Sequence, residues 1–238
     1  MFIFIPLFAL KHNDMIDLKE TNKKDPIKRN VEHGLDNMKG CTPFDPPSVY
    51  EEEKKPKVDF KTMHETLQEL VREHEVATAE IDKFETALAE FKTNGYNVTS
   101  EINYAFSDFF KFYDNKLLVH NEKEDKVLFP LLNKKLLESG EHSTGDNPKT
   151  AIDVMEDDHV KFIQLGTLAF NLLGLATRIQ DVTSRMFVYD TAYDTCREFT
   201  ELLRLHIYRE DYTLFPLAQK LISEDEFNQL LNQHKKFK

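Results

Sequence analysis

The chain contains the same stretch twice. Residues 117–131 read Leu-Leu-Val-His-Asn-Glu-Lys-Glu-Asp-Lys-Val-Leu-Phe-Pro-Leu, and residues 203–217 read Leu-Arg-Leu-His-Ile-Tyr-Arg-Glu-Asp-Tyr-Thr-Leu-Phe-Pro-Leu. On an α-helix, residues i and i+4 share a face, roughly 40° apart in projection. His120 therefore points the same way as Glu124, and His206 the same way as Glu210. The Leu residues before each His and after each Glu lie near that face, so each His/Glu pair sits in an apolar stripe directed at a core. A buried imidazole and carboxylate need partners. A metal supplies one, and two carboxylates can bridge two metals. A single His-x3-Glu is usually a solvated pair, but two copies with matching flanks do not fit two solvated faces. Pro130 and Pro216 would each cost a helix interior about 3 kcal/mol. Each frees a carbonyl four residues earlier, Lys126 or Tyr212. Their equal offset predicts a shared bend, or a helix end, beside the site.

The remaining apolar spacing predicts long helices. The first covers about 60–93, opened by Thr62 with Glu65 as a capping box. Its stripe is Leu67, Leu70, Val71, His74, Ala77, Ile81, Phe84, Leu88 and Phe91. His64 is about 15 Å along the axis from His74, too far to share a compact centre with it. The second helix, 100–137, carries the first copy and extends its face through Ile102, Phe106, Phe109, Phe110, Tyr113 and Leu117. A polar loop from Glu138 to Lys149 follows. The third begins near Thr150, capped with Asp153, and carries His159; Gly166 and Gly174 predict close approach of a neighbouring helix. The fourth, 186–221, carries the second copy. Ser223 with Glu226 opens a short charged helix.

Residues 1–59 read as a mostly irregular extension rich in Pro and polar residues, 60–222 as the helical body and 223–238 as the short C-terminal helix. The apolar opening, Met1 to Leu10, is too short to span a bilayer. It reads as a segment packed on the core, or as a weak export signal or mis-chosen start. His12, His33, His142 and His234 have no partner spacing and read as surface residues. Asn97-Val98-Thr99 matches a glycosylation sequon, which matters only in a secreted protein. Cys41 and Cys196 offer no disulfide framework and fit a reducing cytoplasm. With a net charge of −11 and no basic cluster, neither nucleic acid nor an anionic membrane surface is an expected partner.

A second level of repetition joins these helices. His74 precedes His120 by 46 residues, and His159 precedes His206 by 47. Each half is a helix with one His, a loop, and a helix with His-x3-Glu. Two such hairpins bury their apolar faces by packing together as a four-helix bundle, whose core can place ligands on facing helices. The expected metal set is His74, His120, Glu124, His159, His206 and Glu210. Two Glu shared between two metals, with two His each, leave room for an oxo or hydroxo bridge, water or a diatomic gas. Mixed imidazole and carboxylate ligands favour iron; structural zinc sites are usually closed and tetrahedral.

The six positions, both spacings and the duplication resemble the hemerythrin-like, or HHE cation-binding, family over residues 60–222. The resemblance implies an all-α, up-down-up-down four-helix bundle with two non-haem Fe ions. It implies His74, His120, His159 and His206 as terminal ligands and Glu124 and Glu210 as bridges. The chain departs from the oxygen carriers. Ile163 stands where they have a second His on the third helix, and His206-x3-Glu210 replaces their His-x4-Asp, although Asp211 holds that other spacing. This is more similar to the subgroup linked to iron handling, to oxygen or nitric oxide response, and to iron–sulfur repair. With only Cys41 in the extension, the repair role lacks the expected cysteine-containing domain. The expectation is a cytoplasmic metal-binding protein with a small diatomic ligand, oxygen or nitric oxide. The alternatives are a di-iron oxidase, peroxidase or nitric-oxide-detoxifying enzyme, with Tyr113 and Tyr208 near the motifs, and a metal-free helical interaction module.

Overall fold

The computed structural model describes residues 58–234, with the side chains of 232–234 excepted. The expectations for Met1–Leu10, His12, His33, Cys41 and the His234 side chain lie outside the described residues. Among the described residues the structure is all helical, with no strand. We number the α-helices α1 (Glu65–Thr93), α2 (Ser100–Phe112), α3 (Leu118–Lys123), α4 (Phe129–Ser139), α5 (Ala151–Ala176), α6 (Val182–Arg209), α7 (Phe215–Leu221) and α8 (Glu224–His234). π-helical segments join α2 to α3 (Tyr113–Leu117), α3 to α4 (Glu124–Leu128) and α6 to α7 (Glu210–Leu214).

Helix ends follow local chemistry. A 3-10 turn, Phe60–Thr62, precedes α1, with the Asp59 carboxylate accepting the Lys61 N–H. The Thr62 cap is therefore corrected. Met63 is extended, and His64 caps α1 instead, its Nδ1 accepting the Thr66 N–H at 3.2 Å. The His64 N–H donates to Gln219 Oε1 at 2.6 Å, and its ring stacks on Phe227. The predicted capping boxes at Thr150/Asp153 and Ser223/Glu226 are both present. Helix α6 starts at Val182 rather than 186, because Asp181 Oδ2 accepts the Ser184 N–H.

The duplicated prolines have a specific setting. Each π-helical segment that begins at Glu124 or Glu210 closes with an i+5 bond, from the Phe129 N–H to Glu124 O and from the Phe215 N–H to Glu210 O. Pro130 and Pro216 lie at the start of the next α-helix. The wider turn accommodates an N–H-less residue, so no interior α-helical bond is broken.

Helix α1 packs on α2 and α6, and α5 packs along α6. The core has two apolar clusters. One is built around Phe84, Phe91, Phe109, Phe162 and Phe199, and the other around Leu67, Leu70, Phe129, Leu132, Met155 and Phe215. Along α1, Leu67 to Val71 enter the second cluster, His74 follows, and Ala77 to Phe91 enter the first. The reverse order holds on two later segments, which run from the first cluster to the second: Leu117, then His120 and Glu124, then Val127; and Leu203, then His206 and Glu210, then Leu214. A polar layer thus lies between two apolar ones. Gly166 confirms the predicted close approach, since a Cβ there would meet Tyr113 Cζ at 3.0 Å. Gly174 does not; among the described residues no atom outside its own stretch of helix backbone lies within 4 Å of its Cβ position.

Candidate metal centre

All six sequence-predicted side chains converge on the polar layer. His74 comes from α1, His120 from α3, His159 from α5 and His206 from α6. Glu124 and Glu210 are the first residues of their π-helical segments. Every one is buried, and both glutamates are 0% exposed. Their donor atoms form two groups: His74, His120, Glu124 and Glu210; and His159, His206, Glu124 and Glu210. Within each group the donor atoms lie within 4.8 Å of one another, and the two glutamates belong to both.

Glu124 divides its oxygens between the groups: Oε1 is 3.4 Å from His120 Nε2, and Oε2 is 3.6 Å from His159 Nε2. Glu210 Oε2 is 3.2 Å from His74 Nε2 and 3.3 Å from His206 Nε2. Despite these short distances, no oxygen of either glutamate is aligned for a hydrogen bond among the described residues. Donors about 2.1 Å from one ion lie about 3 Å apart at right angles, so these spacings suit shared coordination.

The outer ring nitrogens explain the inner ones. His74 Nδ1–H donates to Asp211 Oδ1 at 2.7 Å, His120 Nδ1–H to Glu73 Oε2 at 2.7 Å, and His159 Nδ1–H to Asp125 Oδ1 at 2.8 Å. An imidazole that donates through Nδ1 presents a lone pair at Nε2 when neutral. His74 Nε2 and His120 Nε2 are 2.9 Å apart, and His159 Nε2 and His206 Nε2 are 3.1 Å apart. In the His74–His120 pair, where both outer nitrogens donate, two lone pairs at that separation need a proton or a cation between them. The donor set therefore fits a metal pair, by its unpartnered carboxylates and by its facing imidazoles.

Charge is unevenly distributed across the site. Burial opposes protonation of His120, but the Glu124 and Glu73 carboxylates outweigh it and hold the ring at about 9. His74 is raised well above its ordinary value by Asp211 and Glu210, again against burial. His206 is lowered well below its ordinary value, by burial and by the positive charge of its neighbours. Burial and the Glu124 charge push Glu210 up to about 7. Burial also favours the neutral form of Glu73, yet the contacts from His120 and Lys123 bring it to about 2.

The sequence reading missed the outer layer of Glu73, Asp125 and Asp158, with Lys123 and Arg209, and noted Asp211 only as an alternative spacing to Glu210. The signal was present. An acid immediately precedes His74 and His159, an acid immediately follows Glu124 and Glu210, and a base stands three residues after His120 and His206. Other sequence candidates lie elsewhere. Ile163 is 53% exposed, and Asp211 serves His74 rather than joining either donor group. Tyr113 is buried, its hydroxyl donating to Phe162 O at 3.0 Å, and burial with the nearby Asp114 pushes it up to about 12. Tyr208 lines a cavity of about 320 Å³ together with His74, Thr78, Arg204, Asp211 and Tyr212.

The family of the hemerythrin HHE cation binding domain matches residues 65–218. No curated protein and no solved structure matches. The matched span is more than half the chain and contains all six converging side chains, so the chain belongs to the hemerythrin HHE cation-binding domain family.

Proposed function

We propose that the protein holds two non-haem Fe ions, and that it binds or senses a small diatomic ligand, oxygen or nitric oxide. In this reading residues 60–222 are an up-down-up-down four-helix bundle, preceded by the extension 1–59 and followed by the short C-terminal helix 223–238. His74, His120, His159 and His206 are terminal ligands, and Glu124 and Glu210 bridge. The observation that carries the proposal is the sharing of two glutamates, without hydrogen bonds among the described residues, by two otherwise separate histidine pairs. Mixed nitrogen and oxygen donors favour iron over the thiolate-seeking metals.

When bound, the metal pair would supply an open coordination position and one-electron chemistry. The chain's own residues do the rest. Asp211, Glu73 and Asp125 fix the ring orientation of three imidazoles and keep each Nε2 directed inward. The two apolar clusters exclude water above and below. The cavity reaches His74 and Asp211, giving a small ligand a route to that side of the layer. The buried, free Cys196 suits a reducing cytoplasm, and no described helix is long and apolar enough to cross a membrane.

Protein prepared without oxygen and supplied with iron is expected to hold two Fe per chain. Glu124→Ala and Glu210→Ala are expected to lose metal while keeping their helical circular dichroism. Nitric oxide or oxygen added to the loaded protein is expected to change its visible spectrum. One zinc, or no metal, overturns the di-iron reading. Two Fe with no spectral response to either gas overturns the ligand reading alone.

A further inference from the structure

The two halves of the outer layer correspond residue for residue. In the first half Glu73, next to His74, meets His120 and Lys123. In the second Asp158, next to His159, meets Arg209 and lies near His206. Lys123 and Arg209 stand at the same offset from their histidines. The halves differ in the base, Lys123 against Arg209, and in the acid, which is one methylene longer at Glu73 than at Asp158. Glu73 is long enough to use both oxygens, Oε2 on His120 Nδ1 at 2.7 Å and Oε1 on the Lys123 ammonium. Asp158 is shorter. Its Oδ2 accepts from Arg209 Nη1 at 3.2 Å and stays 3.6 Å from His206 Nδ1, and its Oδ1, 3.9 Å from Lys161 Nζ, has no hydrogen bond among the described residues. His206 Nδ1 is the one outer ring nitrogen of the four without a hydrogen bond among the described residues. Arg209, 2% exposed, sets a guanidinium beside that half.

A carboxylate on the outer nitrogen orients an imidazole and makes it a stronger donor, and losing such a partner typically costs 10–100-fold in metal affinity. The His74–His120 half has two such carboxylates. The His159–His206 half has one, with a nearby buried cation that opposes a second positive charge.

Resting on the two-metal reading, we infer that the two positions are unequal: the His74–His120 position fills first, and Asp158 is the positioning residue that leaves the His159–His206 position weaker. The test is anaerobic titration of the full chain with Co(II), followed by calorimetry and the visible spectrum. Two binding steps separated by about 10–100-fold are expected. Crystals grown with one equivalent of Co(II) are expected to place its anomalous signal beside His74 and His120. Asp158→Glu, which lengthens the carboxylate to match Glu73, is expected to draw the second step toward the first. Glu73→Gln is expected to weaken the first step.

The crystal measurement uses the unaltered chain, so it decides the matter even if Asp158→Glu fails to fold. Two indistinguishable steps, or a first metal beside His159 and His206, overturn the inference and leave the two-metal reading intact. A chain that binds no Co(II), or that binds one ion with no second step, overturns both.

Discussion

His120 shows how one residue ties metal binding to protons. Burial favours its neutral ring, yet the Glu124 and Glu73 carboxylates raise it from 6.5 to about 9. The sign follows directly. A raised histidine stabilises the metal-free fold fully below its unfolded value of 6.5, and that contribution is lost as pH rises through about 9. A metal ion needs the unprotonated Nε2, so binding must displace this proton. Metal affinity is therefore expected to climb as pH rises toward about 9, with His74 and His159, also raised, adding to the protons displaced. Calorimetry of Co(II) binding in two buffers of different ionisation enthalpy would count the protons released. An affinity constant across that window would show that His120 carries no competing proton. His206, lowered well below its ordinary value, is not expected to compete. The convergence of the six side chains was legible in the sequence because period, burial and repetition all pointed at them. The outer carboxylates were not, because an acid beside a histidine is ordinary on a solvated helix. Only the crossing of Glu73 to His120 and Asp125 to His159 gives those acids a role.

At the level of elements, the two glycines of α5 give a contrasting pair of tests. A Cβ at Gly166 would stand 3.0 Å from Tyr113 Cζ and 3.2 Å from its Cε1 and hydroxyl. Tyr113 has little freedom to yield: its hydroxyl is held by Phe162 O, and its ring packs edge-on to Phe199. Gly166→Ala is expected to destabilise by about 1–3 kcal/mol, as overpacking of a tight core does. Among the described residues, a Cβ at Gly174 meets nothing within 4 Å outside its own stretch of helix backbone. Gly174→Ala is expected to stabilise by about 0.5–1 kcal/mol through helix propensity alone. Urea melts of both variants would check the pair, and a stabilised Gly166→Ala would show that Tyr113 can move. Adding Tyr113→Leu to Gly166→Ala should relieve part of the cost, a coupling that a double-mutant cycle measures. The glycines looked alike in sequence because periodicity reports which face a residue is on, not how near the next helix lies. The prolines were similarly half legible. Their shared offset announced a shared shape, but the i+5 turns at Glu124 and Glu210 depend on backbone geometry that hydrophobic pattern does not encode.

Across the whole molecule, the polar layer interrupts what would otherwise be one apolar core. Four imidazoles and two carboxylates are buried between the clusters, and among the described residues the glutamate oxygens have no hydrogen bond. Buried ionic groups of this kind are often replaced by apolar residues of similar volume with no loss, or with a gain of about 1–4 kcal/mol. The layer is thus a cost to the metal-free fold, offset when a ligand binds only the folded state. A chain with His74, His120, His159 and His206 replaced by Leu, and Glu124 and Glu210 by Met, is expected to be at least as stable as the metal-free parent. It is also expected to lose all dependence of its melting temperature on added metal. The parent should gain stability with metal concentration, by about 2.7 kcal/mol at a free ion concentration one hundred times its Kd. Thermal melts of both chains with and without iron, recorded anaerobically, separate the two effects. If the apolar layer unfolds the chain while the metal-free parent stays folded, the six side chains hold the helices together without metal, through the histidine–carboxylate contacts of the outer layer. If the replaced chain is as stable as expected but the parent ignores metal, the layer is buried for some purpose other than binding it.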